Sequence, residues 1–396
     1  MPPPLVASSS SVADVAGPVS PGPPQAPARS ARASDDWRNP RLARNGFLWP
    51  TLLVVLFLAI FPLIASLGLA FSYFNFAPGG FEIRFAGLAN FVALFNGSER
   101  TIFIGKMGSP TLLGWFVFLG GTLLLAWAWI KAARGGVRAR GLISRAIGGV
   151  FAVTVLWLVT GTILGTDGRP GTLVVTLIYA SVGTAFQYAI GLALAWLTSR
   201  RLAGQRFFRV VFLLPLTITP VGVAYMFRLL TDTARGPFAP IWNAAGLQNF
   251  SLLASPWGAI TAVIIADVWQ WIPFMYIVLL AALEGRDLEA EEAAIVDGAS
   301  RQQTFRYITL PALIPVSATV ILIRMIEAFK IIDLPNILTN GGPGTATVSV
   351  TLESFLNWRG FNLGLSAAVA YALLIFVTLI ATYYGSLVIP RAHRAV

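Results

Sequence analysis

Eight stretches of about twenty consecutive apolar residues, separated by short polar segments, constrain this chain more than anything else in its sequence. A helix needs roughly that length to cross a hydrocarbon core about 30 Å thick. The runs lie at about 46–74, 110–131, 142–165, 171–197, 207–229, 257–283, 312–332 and 365–390. The chain is 56% hydrophobic and 11% charged, where soluble domains carry roughly 25% charged residues. The expected fold class is therefore an all-α polytopic membrane protein with about eight transmembrane helices, and a soluble enzyme is excluded. There is no Cys, which removes disulfide frameworks and thiolate metal sites. The one His, His393, lies three residues from the C-terminus, so neither a zinc site nor a His-based catalytic triad is expected.

The net charge of +11 follows the membrane rather than a nucleic acid. With a cytoplasmic N-terminus, the cytoplasmic segments hold 19 of the 28 Lys and Arg, the external loops hold six, and Arg228, Arg324 and Lys330 lie within spans. That asymmetry obeys the positive-inside rule and places both termini in the cytoplasm. Residues 1–45 read as a Pro-, Ala- and Ser-rich tail that is disordered and then basic, since it cannot bury enough apolar surface to offset its ordering entropy.

Polar features inside the spans are candidates for function. Pro215 and Pro220 interrupt the run FLLPLTITPVG, and each removes a backbone donor. Either the helix kinks for packing, or it breaks where protein or a wet cavity satisfies the freed carbonyls. Arg324, Glu327, Lys330 and Asp333 recur every three residues, which stacks them on one face of a helix. Asp267 and Gln270 sit similarly in IIADVWQWIPF, with Trp269 and Trp271 beside them. Buried ionisable groups face a bundle interior or cavity, so these residues either pair internally or line a path. Flat aromatic faces next to hydrogen-bonding groups suit a polyhydroxylated ligand.

The densest acidic cluster is EAEEAAIVDGASRQQTFRYITLP, at 289–311. Six of the 17 carboxylates fall between Glu284 and Asp297, including Asp287. The composition predicts a helix over 287–296, a break at Gly298, a short helix around Ser300–Tyr307, and a new helix start at Pro311. A helix resting on the anionic inner leaflet would carry Lys and Arg. The acidic face and the small residues Ala293, Ala294, Gly298 and Ala299 instead favour docking into a protein groove that offers basic groups.

The same stretch resembles the cytoplasmic signature loop of membrane subunits of bacterial ABC importers. Glu292, Ala293, Ala294, Asp297, Gly298, Ala299, Phe305, Ile308, Leu310 and Pro311 stand at that motif's spacing. FAGLANFVALF (85–95), DVWQWIPF (267–274) and LTNGGPGTAT (338–347) resemble carbohydrate importers of the maltose and glycerol-phosphate type. The resemblance implies a permease in the bacterial inner membrane, not an enzyme, that forms the path for a sugar or polyol. Its implied partners are a second permease, two ATPase subunits on the 284–311 loop, an extracytoplasmic solute-binding protein and the surrounding lipid. ATP and Mg would be held by the ATPase subunits, and this chain would bind no cofactor. The resemblance assigns docking to Glu292, Ala293, Ala294, Asp297, Gly298, Ala299 and Phe305. It assigns the substrate path to Asp267, Gln270, Trp271, Phe274, Arg324, Ala328, Ile331 and Leu216. Segment 46–99 would hold the first span and an external loop, 100–170 an inserted transmembrane hairpin packed at the periphery, 171–390 the permease core, and 391–396 a cytoplasmic tail. The competing reading is an ion-coupled secondary transporter with Asp267 and Glu327 as relay acids.

Overall fold

Each predicted apolar run is helical in the computed structural model, which describes residues 40–77, 80–133, 139–199, 204–246, 251–286 and 288–392. The expected tail up to residue 39, Asp287 and His393 lie outside these residues. Apart from the short helices Arg100–Phe103 and Ala239–Ala244, the helices in chain order are α1 (Leu48–Ala70), α2 (Ala89–Asn96), α3 (Leu112–Ala133), α4 (Ala139–Ile163), α5 (Thr172–Thr198), α6 (Gln205–Thr217) and α7 (Pro220–Thr231). They continue with α8 (Pro256–Glu284), α9 (Glu289–Val296), α10 (Arg301–Ala328), α11 (Asp333–Leu338), α12 (Val350–Arg359) and α13 (Leu363–Ala392). Among the described residues seven helices are long and apolar enough to cross a bilayer, and the bent pair α6–α7 makes an eighth crossing if counted as one.

The described residues divide into two compact units between Pro62 and Leu63. In the first, the side chains from Leu52 to Phe61 are exposed, as suits a helix solvated by lipid. The second unit is centred on α8, which packs along α5 and also meets α6, α7 and α10. The α5–α8 contact is close because Gly191 has no side chain. A Cβ there would come within 2.6 Å of the Met275 Cβ. Small residues permit such approach between membrane helices, where dispersion and not water exclusion holds them together. Helix α3 packs chiefly on α4, and α4 in turn on α13.

Four features that the sequence left open or misplaced have physical causes. The run at 207–229 is two helices meeting at 96°, the break and not the mild kink among the two outcomes that Pro215 and Pro220 allow. Thr219 leaves the helical region at φ −64°, ψ 147°, and its side chain caps the Gly222 N–H while Pro220 opens α7. The ladder from Arg324 to Asp333 does not share a helical face. Helix α10 stops at Ala328, and Asp333 begins α11, where an acid suits the first turn. Pro311 does lie in the first turn of an α-helical segment that opens at Leu310, but that segment continues a helix already begun at Arg301 behind a Ser300–Gln303 capping box. That helix passes Pro311 by widening into a π turn over Phe305–Thr309. Finally, short antiparallel ladders join the helices. β1 (Ser72–Ala77) and β2 (Gly80–Phe85) form a hairpin. β3 (Gly105–Lys106) pairs with β6 (Arg169–Pro170), and β4 (Ser109–Pro110) with β5 (Gly165–Thr166). The last two zip the segments that flank α3 and α4, and periodicity cannot reveal two-residue strands.

Outside the spans, α12 buries Glu353, which accepts a hydrogen bond from the Thr172 hydroxyl. Burial pushes its carboxyl up to about 7, with the Thr172 bond opposing the shift and Glu99 adding to it. A carboxyl raised in this way binds more protons folded than unfolded, so stability falls as pH rises. The unfolding temperature is expected to drop between its ordinary value of 4.5 and about 7. Glu353→Gln should flatten that slope in a thermal scan across pH; an unchanged slope would show that Glu353 is not its source.

Candidate functional site

The acids and bases that the sequence scatters across two spans meet in the interior. Asp267 on α8 and Arg324 on α10 are 4% and 1% exposed. Arg324 Nη2 donates to both carboxylate oxygens of Asp267, at 2.7 and 2.6 Å. Gln187 on α5 donates from Nε2 to Asp267 Oδ2 at 2.8 Å and to its backbone carbonyl at 3.1 Å. The Arg324 guanidinium lies 4.5 Å from the centroid of the Trp271 ring. At that range the ring's negative face stabilises the cation. Two buried charges are tolerated here because each is paired and hydrogen-bonded.

The arrangement leaves capacity over. Arg324 Nε and Gln270 Oε1 are buried without a partner among the described residues. Gln270 spends its Nε2 on the Ile218 carbonyl, 3.2 Å away at the α6–α7 break. So the freed backbone at the proline break is satisfied by a side chain from α8, as a membrane interior demands.

A cavity of about 140 Å³ opens beside these groups. Asp267, Gln270, Trp271, Arg324, Ala328 and Ile331 line it, together with Pro220, Glu327 and Lys330 and the start of α11. Six of the eight predicted path residues are therefore brought together. Phe274 lies one turn along α8, edge-on to Trp271 at 6.0 Å, and faces a hydrophobic cluster. Leu216 is exposed on α6 and does not line the cavity. Lys330 bonds Glu327 at 2.6 Å at the exposed rim. The LTNGGPGTAT stretch contributes support, not lining. Gly341 N–H bonds the Pro335 carbonyl at 2.9 Å, and Tyr179 OH bonds the Thr347 carbonyl at 3.1 Å. Those bonds hold α11, and hence the cavity wall, against α5.

Gln187 was missed by sequence reasoning, although an amide in the middle of the α5 run is the kind of intramembrane polar group that marks an interior face. Its link to Asp267 spans 80 positions, which no local pattern reports.

The acidic loop forms a second candidate surface. Helix α9 ends in a Schellman turn: Ala299 N–H bonds the Ala294 carbonyl and Gly298 N–H bonds that of Ile295. Gly298 sits at φ +84°, and a Cβ there would meet open space. Glu292, Ala293, Asp297 and Gly298 are exposed, while Ala294 and Ala299 are half-buried. Phe305 turns inward onto Trp196 at 4.8 Å, so it anchors the loop to α5. Glu291 also faces inward. Arg286 grips both its oxygens at 2.7 and 2.9 Å, and Thr309 donates to it as well. Partial burial raises the Glu291 carboxyl, but the Arg286 and Thr309 bonds outweigh it and the net shift is downward. The result is a loop braced internally, with Ile295, Val296 and Tyr307 exposed beside acids.

Comparison with known proteins identifies the family over the stretch that contains both surfaces. The family described as "Binding-protein-dependent transport system inner membrane component" matches residues 187–388. The chain is 33% identical over 220 residues to a trehalose/maltose transport system permease of Thermococcus litoralis, covering 56% of this chain and 74% of the relative. It is 31% identical over 211 residues to a sulfoquinovosyl glycerol transport system permease of Agrobacterium fabrum, covering 52% and 67%. Among solved structures it resembles a chain of a bacterial ABC transporter that imports the acidic polysaccharide alginate. The TM-score is 0.59 at 18% identity, over 89% of this chain and 96% of that one, a likeness of fold.

Proposed function

Because this chain belongs to the family of binding-protein-dependent transport system inner membrane components, whose members are permease subunits and not enzymes, we propose that it forms half of the path of an ATP-driven carbohydrate importer. A second permease supplies the other half, and separate ATPase subunits dock on the 284–311 loop and hold the ATP and Mg. An extracytoplasmic binding protein delivers a sugar or polyol, and both termini of the chain face the cytoplasm. Segment 100–170 is a peripheral insertion in the permease core.

One observation carries the substrate class: a donor, Arg324 Nε, and an acceptor, Gln270 Oε1, both buried and without a partner among the described residues, belong to residues that line a cavity with Trp271. A sugar hydroxyl both donates and accepts, and its ring face stacks on indole. The cavity's 140 Å³ is smaller than the roughly 300–1,000 Å³ of a complete small-molecule site. That suits a path completed by a second subunit. The relatives' sugar substrates support the same class. An ion-coupled mechanism is disfavoured because Asp267, its best relay acid, is already occupied by Arg324 and Gln187.

The test is uptake of labelled sugars by proteoliposomes that contain both permeases and the ATPase. Uptake should require ATP inside the vesicle and saturating binding protein outside. Uptake that persists without the ATPase and collapses with the proton gradient would overturn the reading.

A further inference from the structure

The segment that follows α1 carries two consecutive apolar faces. In β2, Phe81, Ile83 and Phe85 alternate with Glu82 and Arg84, so the two sets point to opposite sides of the hairpin. All three apolar side chains are exposed, Phe85 to 83%. Glu82 and Arg84 pair with each other at 3.2 Å on the other side. The next element, α2, repeats the pattern at helical spacing. Leu88, Val92 and Phe95 are exposed, while Asn90 and Leu94 are buried on the opposite face. One amphipathic strand face is ordinary; six large exposed apolar groups on adjoining elements ask for a cover.

The position of this segment says what the cover is. Helix α1 ends at Ala70, and the hairpin begins two residues later. Asn90 Nδ2 bonds the carbonyls of Ala70 and Ser72, each at 3.0 Å, and Ala86 N–H bonds the Phe71 carbonyl at 2.7 Å. These bonds root both strands and the start of α2 at the end of a span. The start of α13 abuts the same point, where a Cβ on Gly364 would lie 2.1 Å from the Ser72 carbonyl oxygen. Two spans thus end where the segment begins, which puts it at the level of the bilayer surface. Aromatic side chains concentrate at that depth. A soluble partner that docks reversibly would leave six large apolar groups facing water between encounters, whereas lipid covers them continuously.

We infer that residues 81–95 form an interfacial collar, with the face Phe81, Ile83, Phe85, Leu88, Val92 and Phe95 immersed in the phospholipid leaflet at the end of α1. The collar fixes the depth of that span, and the Glu82–Arg84 pair looks to water.

The chain has no Cys, so spin labels can be placed singly by Phe85→Cys, Val92→Cys and Arg84→Cys in the full transporter reconstituted in phosphatidylcholine–phosphatidylglycerol vesicles. Power saturation should give oxygen-dominated accessibility at 85 and 92, and nickel-chelate-dominated accessibility at 84. The sign of the depth parameter should thus reverse between neighbouring residues. As a check without substitution, a photoactivatable phospholipid should label peptides within 81–95 of the unmodified chain. Nickel-chelate exposure at 85 and 92 would place the face in water. Loss of access to both reagents would place it under protein, and a change on adding the binding protein would make it a docking surface. Any of these overturns the proposal.

Discussion

Asp267→Ala is expected to unfold the transporter far more readily than its single lost contact suggests, because it strands a guanidinium that is 1% exposed. Removing one partner of a buried ion pair typically costs about 3–5 kcal/mol, most of it the desolvation of the charge left behind. Arg324→Ala should cost similarly by orphaning Asp267. Replacing both by Met removes the two charges together and should recover most of the loss. The double variant also separates packing from transport. If the pair contacts sugar, Asp267→Met with Arg324→Met regains an ordinary unfolding temperature in detergent but not uptake in proteoliposomes. Recovery of uptake along with stability would reduce the pair to a packing device. Single variants that melt with the parent protein would contradict the burial argument itself.

Gly298→Trp is expected to leave the isolated chain folded while weakening the proposed contact with the ATPase at least about fivefold. Gly298 stands at φ +84° with open space around its missing Cβ, so bulk there meets nothing within this chain. Any clash must come from a partner. Overfilling a closely packed contact costs about 1–3 kcal/mol, which is about fivefold to 150-fold in affinity. Strain must be separated from bulk, since any side chain at a left-handed position costs roughly 1–2 kcal/mol. Asn tolerates that conformation best and is small, so Gly298→Asn should retain co-purification of the ATPase. If the Trp and Asn variants behave alike in pull-down and uptake, the loop does not fit a partner's groove at this point.

Periodicity and composition made the helices legible, because a lipid solvent leaves a long apolar segment almost no other fold. The acidic loop was readable too: its helix, its glycine turn and its exposed acids all follow from local rules. Even so, the sequence treated all six carboxylates there alike. Only the folded chain separates Glu291, clamped inward by Arg286 and Thr309, from Glu292, which is exposed. Likewise Phe305 matches a docking motif, yet its ring is spent on Trp196.

What the sequence alone determined, then, is the kind and approximate number of membrane helices, the acidic character of the 284–311 loop, and a short roster of intramembrane polar residues. These depend on hydrophobic length and on charge, which are local. What only the tertiary structure decided is which polar residues meet. Asp267 finds Arg324 and Gln187, Gln270 finds the carbonyl freed at the α6–α7 break, and the ladder from Arg324 to Asp333 breaks at Ala328. Partners 52 to 80 positions apart are chosen by how the helices pack, and a buried charge admits only the arrangement in which its partner is present.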